Sequence, residues 1–152
     1  MKKISVTPLV SAGEIKFGME RVRAREILGN FSEYKNHPDD TNTADCFELC
    51  HLFYGNDDIV EFIMFYRLDK VEISWGEKIL TNMSKAELVD FFSKIDMELS
   101  VENYGYGIVS FASNSLGIAC SFMEDLEFDE DGNEAEIEKV ETISLAVRDY
   151  WK

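Results

Sequence analysis

Apolar residues recur along this chain in two rhythms. Between residues 84 and 95, Leu88, Phe91, Phe92 and Ile95 fall at i, i+3, i+4 and i+7. That spacing predicts an amphipathic helix with one aromatic-rich buried stripe. Ser84-Lys85-Ala86-Glu87 supplies a capping box at its start: the Ser hydroxyl accepts from the Glu87 backbone N–H, and the Glu87 carboxylate reaches back to the Ser84 N–H. A second helix is predicted over residues 19–28, after Gly18. Met19, Val22 and Ile27 form its expected buried side, and Gly29 sits where a C′ glycine belongs. This helix carries a local basic stripe, Arg21, Arg23 and Arg25.

The other rhythm is that of strands. Residues 4–10 read as a short strand, turned by Ser11-Ala12-Gly13, with residues 14–17 extending it or pairing with it. Residues 30–44 read as a polar loop, in which Pro38 keeps His37 extended. Residues 45–54, 59–66 and 71–75 follow as strands, with Gly55-Asn56-Asp57-Asp58 as a hairpin turn. The nearly continuous apolar run 59–66 suits a central strand covered on both faces. Residues 45–54 fit two templates. Cys46, Leu49, Cys50 and Phe53 stand at helical spacing, whereas Phe47, Leu49 and Phe53 suit a strand face. The need of 59–66 for a hairpin partner favours strand. Residues 98–101, 108–112 and 118–122 continue as short strands, separated by Asn103-Tyr104-Gly105-Tyr106-Gly107 and Asn114-Ser115-Leu116-Gly117. A long hairpin closes the chain, with arms over 123–128 and 134–147 and Asp131-Gly132-Asn133 at its tip.

The expected order is β-α-β-β-β, then α-β-β-β-β. The fold class read from it is α+β, with helices packed on an antiparallel sheet. Residues 1–152 suit a single domain. Two tandem helix-plus-meander units, 1–80 and 81–152, stand as an open alternative.

Charge changes this picture most. Thirty Asp and Glu face fifteen Lys and Arg, for a net charge of -15. Nine of the carboxylates fall within residues 124–138, where there is no Lys or Arg. Such a field repels nucleic acid and anionic membranes, and it attracts a basic protein or a cation. An apolar fraction of 45% supplies a real core and argues against global disorder. Lys2 and Lys3 are not followed by the apolar stretch of a signal peptide, and no apolar run is long enough to span a bilayer. The expectation is a cytoplasmic protein that does not engage membranes. Three cysteines, Cys46, Cys50 and Cys120, make an odd count that suits reduced thiols.

Gly18-Met19-Glu20-Arg21-Val22-Arg23 and Ile27-Leu28-Gly29 resemble the G-M-x-x-x-x-V…L-G signature of SmpA/OmlA-type modules. The layout is similar to the helix-plus-sheet units of the β-lactamase-inhibitor-protein fold, and to small cytoplasmic immunity proteins encoded beside bacterial toxins. These resemblances imply a protein-binding sheet rather than an active site.

Four segments carry residue types suited to chemistry. Glu127, Asp129, Asp131, Gly132 and Glu138 occupy positions 1, 3, 5, 6 and 12 of an EF-hand loop, but Glu stands at position 1 and the flanks read as strands. No metal ligand is assigned and no cofactor is expected. Cys46-x-x-x-Cys50-His51 has zinc-ligand residue types. On one strand, however, Cys46 and Cys50 would lie roughly 13 Å apart, too far to share an ion, with His51 on the opposite face. Only His37 and His51 offer imidazoles for nucleophilic catalysis, and no Cys-His family signature matches. Tyr104-Gly105-Tyr106-Gly107 opens no helix and so offers no anion site, but its tyrosines suit an interface loop.

The chain therefore reads as a non-enzymatic acidic module that binds a basic protein, in the manner of an immunity or inhibitor protein. Its expected contact residues are Glu127, Asp129, Glu130, Asp131, Glu134, Tyr104 and Tyr106. The alternatives are a module for a small ligand or divalent cation, and a hydrolase using scattered carboxylates.

Overall fold

The computed structural model describes residues 1–103, 108–128, 130–132 and 134–151, and excludes the side chains of residues 124–128 and 134–139. Thirteen strands and two α-helices are described. They run β1 (Lys2–Thr7), β2 (Ser11–Ala12), β3 (Ile15–Lys16), α1 (Arg21–Leu28), β4 (Ser32–Tyr34), β5 (Ala44–Cys46), β6 (Cys50–Tyr54), β7 (Val60–Phe65), β8 (Val71–Trp75), β9 (Lys78–Ile79), α2 (Lys85–Ile95), β10 (Ser100–Asn103), β11 (Ile108–Ser113), β12 (Ile118–Phe128) and β13 (Glu134–Ala146).

The expected α+β architecture, helices packed on one antiparallel sheet, is overturned. Strands take 44% of the chain and helices 16%, and the strands form two sheets. The smaller sheet has the order β3-β2-β1-β8-β9, and the larger β10-β11-β12-β13-β7-β6-β5-β4. Two features account for the difference. β8, expected to continue the meander after residues 59–66, instead leaves it and pairs in parallel with β1, Ile4 opposite Ile73. Both strands alternate buried and less buried positions, with Ile4, Val6, Val71 and Ile73 all inside. Two such half-apolar strands from distant parts of the chain can cover a second layer that no local turn signal announces. In addition, the expected polar loop 30–44 contains edge strand β4, which pairs with β5.

The larger sheet joins two four-stranded antiparallel meanders, β4–β7 and β10–β13, side by side. Their last strands pair, with Ile143 opposite Phe65 and Leu145 opposite Ile63. One continuous core draws on both sheets and both helices. It includes Ile4 and Ile73 of the small sheet, Leu52, Ile63, Ile143 and Leu145 of the large one, Ala24 of α1, and Leu88 and Phe92 of α2.

α2 begins as its sequence dictates. The Ser84 hydroxyl accepts from the Glu87 N–H at 3.2 Å, and the Glu87 carboxylate accepts from the Ser84 N–H at 3.2 Å. Leu88 and Phe92 are fully buried, Phe91 packs beside them, and Ile95 at the C-terminal end is half exposed. α1 departs from its expected face at Val22, whereas Met19 and Ile27 pack against the core as expected. Val22 is 66% exposed, while Arg21 and Ala24 are buried. The helix has no side-chain N-cap and no acidic residue in its first turn, so little within it favours helix formation. Its anchor is tertiary.

The long terminal hairpin forms with its arms β12 and β13, and the expected strand 118–122 is simply the start of β12. β11 pairs with β12 only as far as Ser121, and β7 meets β13 only from Ile143 onward. Beyond these points, residues 122–128 and 134–140 pair only with each other among the described ladders. This two-stranded ribbon is about 20 Å long at roughly 3.4 Å per residue.

Candidate functional site

Alternation divides the residues of the large sheet between two faces. The inner face carries the core. The outer face can be followed along one row of paired residues across all eight strands: Ser32, Cys46, His51, Met64, Ser144, Ala119, Ala112 and Ser100. A neighbouring row runs Tyr34, Ala44, Phe53, Phe62 and Ala146. The outer face thus has two textures. The β4–β7 half is aromatic, and the β10–β13 half consists of small and hydroxyl residues. In the second half Ser121 hydrogen-bonds to Thr142, and the Ser110 hydroxyl donates to Glu102. Short side chains leave a groove there of about 280 Å³, bordered on one side by Trp151. The C-terminal turn crosses the face near its middle, stacking Tyr150 on Phe62 at 5.0 Å and setting Trp151 edge-on to the same ring at 6.0 Å. Seven strand spacings of about 4.8 Å make the face roughly 34 Å wide.

The acidic run maps onto this ribbon. Glu130 and Asp131 lie exposed at its tip. The backbones of Glu127 and Glu134 lie in the two arms, in register with Ala135 and Phe128, and their side chains are outside the described residues. Asp129, Tyr104 and Tyr106 also lie outside the described residues. The segments flanking the tip are strands, not the helices of an EF-hand. Among the described residues no three His, Cys, Asp or Glu side chains are placed to hold one metal ion.

Two constellations escaped the sequence reading. The first is buried. Asp45 points to the inner face beneath α1 and is wholly inaccessible. Arg25 Nε donates to its Oδ2 at 2.7 Å and Arg25 Nη2 to its Oδ1 at 2.8 Å. Arg21 Nη2 donates to Oδ1 at 2.9 Å, and the Tyr54 hydroxyl donates to Oδ2 at 2.7 Å. Burial alone would raise the Asp45 pKa, but hydrogen bonds from Arg25, Arg21 and Tyr54 outweigh it and bring the carboxyl down to about 2. Burial, and after it the hydrogen bond to the Asp45 carboxylate, hold the Tyr54 phenol well above its ordinary range. Arg21 also donates to Thr43 at 2.8 Å and to Asp58 at 3.3 Å, and its guanidinium stacks over Tyr54. Every strong donor here has its acceptor, so the cluster clamps α1 to β5 and β6 and leaves no group free for chemistry. The sequence signal was present: arginines at i and i+4 share a helix face, and one acid on an adjacent strand can take both.

The second constellation lies on the outer face. Residues 45–54 are not one strand. β5 ends at Cys46, the chain turns through Phe47-Glu48-Leu49, and β6 starts at Cys50. The turn contains no Gly, Pro or Asn, and so gave no signal. It is held by a Phe47 N–H to Cys50 carbonyl bond of 2.8 Å, and by the Tyr66 hydroxyl, which reaches the carbonyls of Phe47 at 2.6 Å and Glu48 at 2.9 Å. Two expectations are thereby reversed. Cys46 and Cys50 lie on opposite faces, and His51 faces Cys46 as its cross-strand partner. Cys46 Sγ is 3.3 Å from His51 Nε2, and His51 Nδ1 is 2.6 Å from the Tyr34 hydroxyl. Burial lowers the His51 pKa and raises that of Tyr34 to about 12.

Comparison with family models, with curated proteins and with solved structures finds no match to this chain. Among the described residues, no helix is long and apolar enough to cross a membrane.

Proposed function

We propose that this chain is a non-enzymatic protein-binding module whose partner is a basic protein. The observation that carries the reading is the outer face of the eight-stranded sheet, crossed near its middle by the C-terminal turn, beside an acidic ribbon. About 800 Å² per partner makes a standard interface, and a face roughly 34 Å wide provides an area of that order. Its texture suits recognition: rigid aromatic rings fill one half, and a shallow groove of short side chains in the other can admit a partner's projecting residues.

The charge supplies direction. A net charge of -15 steers a cationic partner toward the surface and disfavours anionic ones, nucleic acid included. The register places two acidic residues, Glu124 and Glu138, opposite each other in the ribbon. In this reading the module acts as an immunity or inhibitor protein, covering the active surface of a basic enzyme with carboxylates in place of phosphates.

The test is affinity capture with the immobilised chain, using the product of the adjacent gene and an extract of the source cells. The expected result is one basic protein retained at about 0.05 M salt and released near 1 M, where the screening length falls to about 3 Å. Retention of acidic proteins only, or of nothing, overturns the proposal.

A further inference from the structure

The outer sheet face also holds a nucleophile beside a base. We propose that Cys46 is a site of reversible thiolation, at which its sulfur exchanges with a low-molecular-weight disulfide and His51 carries the proton.

The geometry contains the parts such a step needs. Cys46 is partly exposed on the outer face, Nε2 of His51 is 3.3 Å from its sulfur, and Tyr34 hydrogen-bonds the opposite ring nitrogen at 2.6 Å. This is nucleophile, base and orienting group in line. Burial lowers the His51 pKa, so the imidazole is neutral near pH 7 and free to accept a proton. The step uses the tautomer with hydrogen on Nδ1, where Nδ1–H donates to the Tyr34 oxygen. Nε2 takes the Cys46 S–H proton as the sulfur attacks one sulfur of R–S–S–R′. The Cys46–S–S–R bond forms, the S–S bond of the reagent breaks, and the leaving R′S⁻ receives the proton from Nε2. The sum is Cys46–SH plus RSSR′ giving Cys46–SSR plus R′SH.

Two observations select this chemistry over acyl transfer and over an internal disulfide. Acyl transfer needs donors aimed at a developing oxyanion, whereas attack on a disulfide needs only a thiolate and access. The turn beside Cys46 presents carbonyls, those of Phe47 and Glu48, which accept from the Tyr66 hydroxyl, the Phe47 carbonyl also lying 3.7 Å from Cys46 Sγ. An internal partner is missing as well. Cys50 lies on the opposite face with 3% exposure, and Cys120 is buried at 2%, so neither can resolve the mixed disulfide. Burial raises both of their pKa values, that of Cys50 to about 12, which leaves them inert at neutral pH. The end state is a stable adduct on one cysteine, which marks a modification site rather than a turnover site.

The test uses cystamine, a cationic disulfide that the acidic chain does not repel, and intact-mass spectrometry of the native protein at pH 7.5. The expected result is one adduct, located at Cys46, forming about tenfold or more faster than on the same chain unfolded in urea. In His51→Gln the rate falls about tenfold, and added imidazole restores part of it. Formation of the adduct at Cys50 or Cys120, or a native rate no higher than the unfolded one, overturns the proposal. A folded His51→Gln that reacts at the native rate also overturns it. The comparison of native with unfolded chain decides the matter even if the variant does not fold.

Discussion

Arg25 Nε lies 2.7 Å from Oδ2 of Asp45, joining a helix with no side-chain N-cap to the inner face of the large sheet. The second guanidinium, from Arg21, reaches the same carboxylate one helical turn earlier. A buried charge pair of this kind need not add much net stability over an apolar substitute, but removing one partner leaves the others desolvated and unpaired. Asp45→Ala is therefore expected to destabilise the protein by about 3–5 kcal/mol. Urea unfolding followed by circular dichroism measures it, and a loss under about 1 kcal/mol would contradict the anchoring role.

The same carboxylate sets an acid limit. Its folded pKa of about 2 lies below its ordinary 3.8. A depressed folded value contributes stability that is complete above the ordinary pKa and is lost as pH falls through the folded one. The window is therefore about pH 4 down to about pH 2, and the contribution is about 2 kcal/mol. The difference in unfolding free energy between native protein and Asp45→Asn should narrow across that window. A constant difference from pH 5 to pH 2 would show that Asp45 does not titrate as described.

Removing the α2 cap is milder. Ser84→Ala loses the hydroxyl that accepts from Glu87 N–H and should cost about 1 kcal/mol. Thermal unfolding checks the value, and Ser84→Gly should recover most of it, because glycine is nearly as good an N-cap.

Among the described glycines, Gly117 has the least room. It adopts φ +63°, its carbonyl accepts from the Ala146 N–H at 2.8 Å, and a Cβ there would collide with the Ala146 carbonyl oxygen. Gly117→Ala combines a left-handed backbone with a backbone clash, and is expected to cost about 3 kcal/mol. A loss under 1 kcal/mol in denaturant would contradict the close approach of the Gly117 turn to the end of β13.

How much could be read from the sequence follows from how local each signal was. The α2 capping box and stripe needed only residues 84–95, and they form as written. The terminal hairpin was visible because Asp131-Gly132-Asn133 punctuates two long arms. The β1–β8 pairing was invisible, because it joins residues some 69 apart and nothing in either strand names its partner. α1 misled because Val22 looked like a core residue while charged Arg21 and Arg25 did the anchoring. Periodicity counts apolar residues and cannot see a buried acid 20 positions away. The Cys46–His51 pair was lost for a smaller reason. A tight turn built from Phe47-Glu48-Leu49 carries no turn residues, and one missed turn moved His51 to the wrong face of the sheet. Of the acidic residues expected to contact a partner, Glu127 and Glu134 lie in the arms of the terminal hairpin and Glu130 and Asp131 at its tip.

The central claim is that the outer sheet face recognises a basic protein, and placing a bulky cation in the groove tests it most directly. Ala112 and Ser121 lie in the small-residue half. A doubly substituted chain, Ala112→Arg with Ser121→Arg, should keep its far-ultraviolet circular dichroism and its thermal midpoint, yet retain none of the basic protein captured by the native chain under identical low-salt conditions. Equal retention by the folded double variant would contradict the claim.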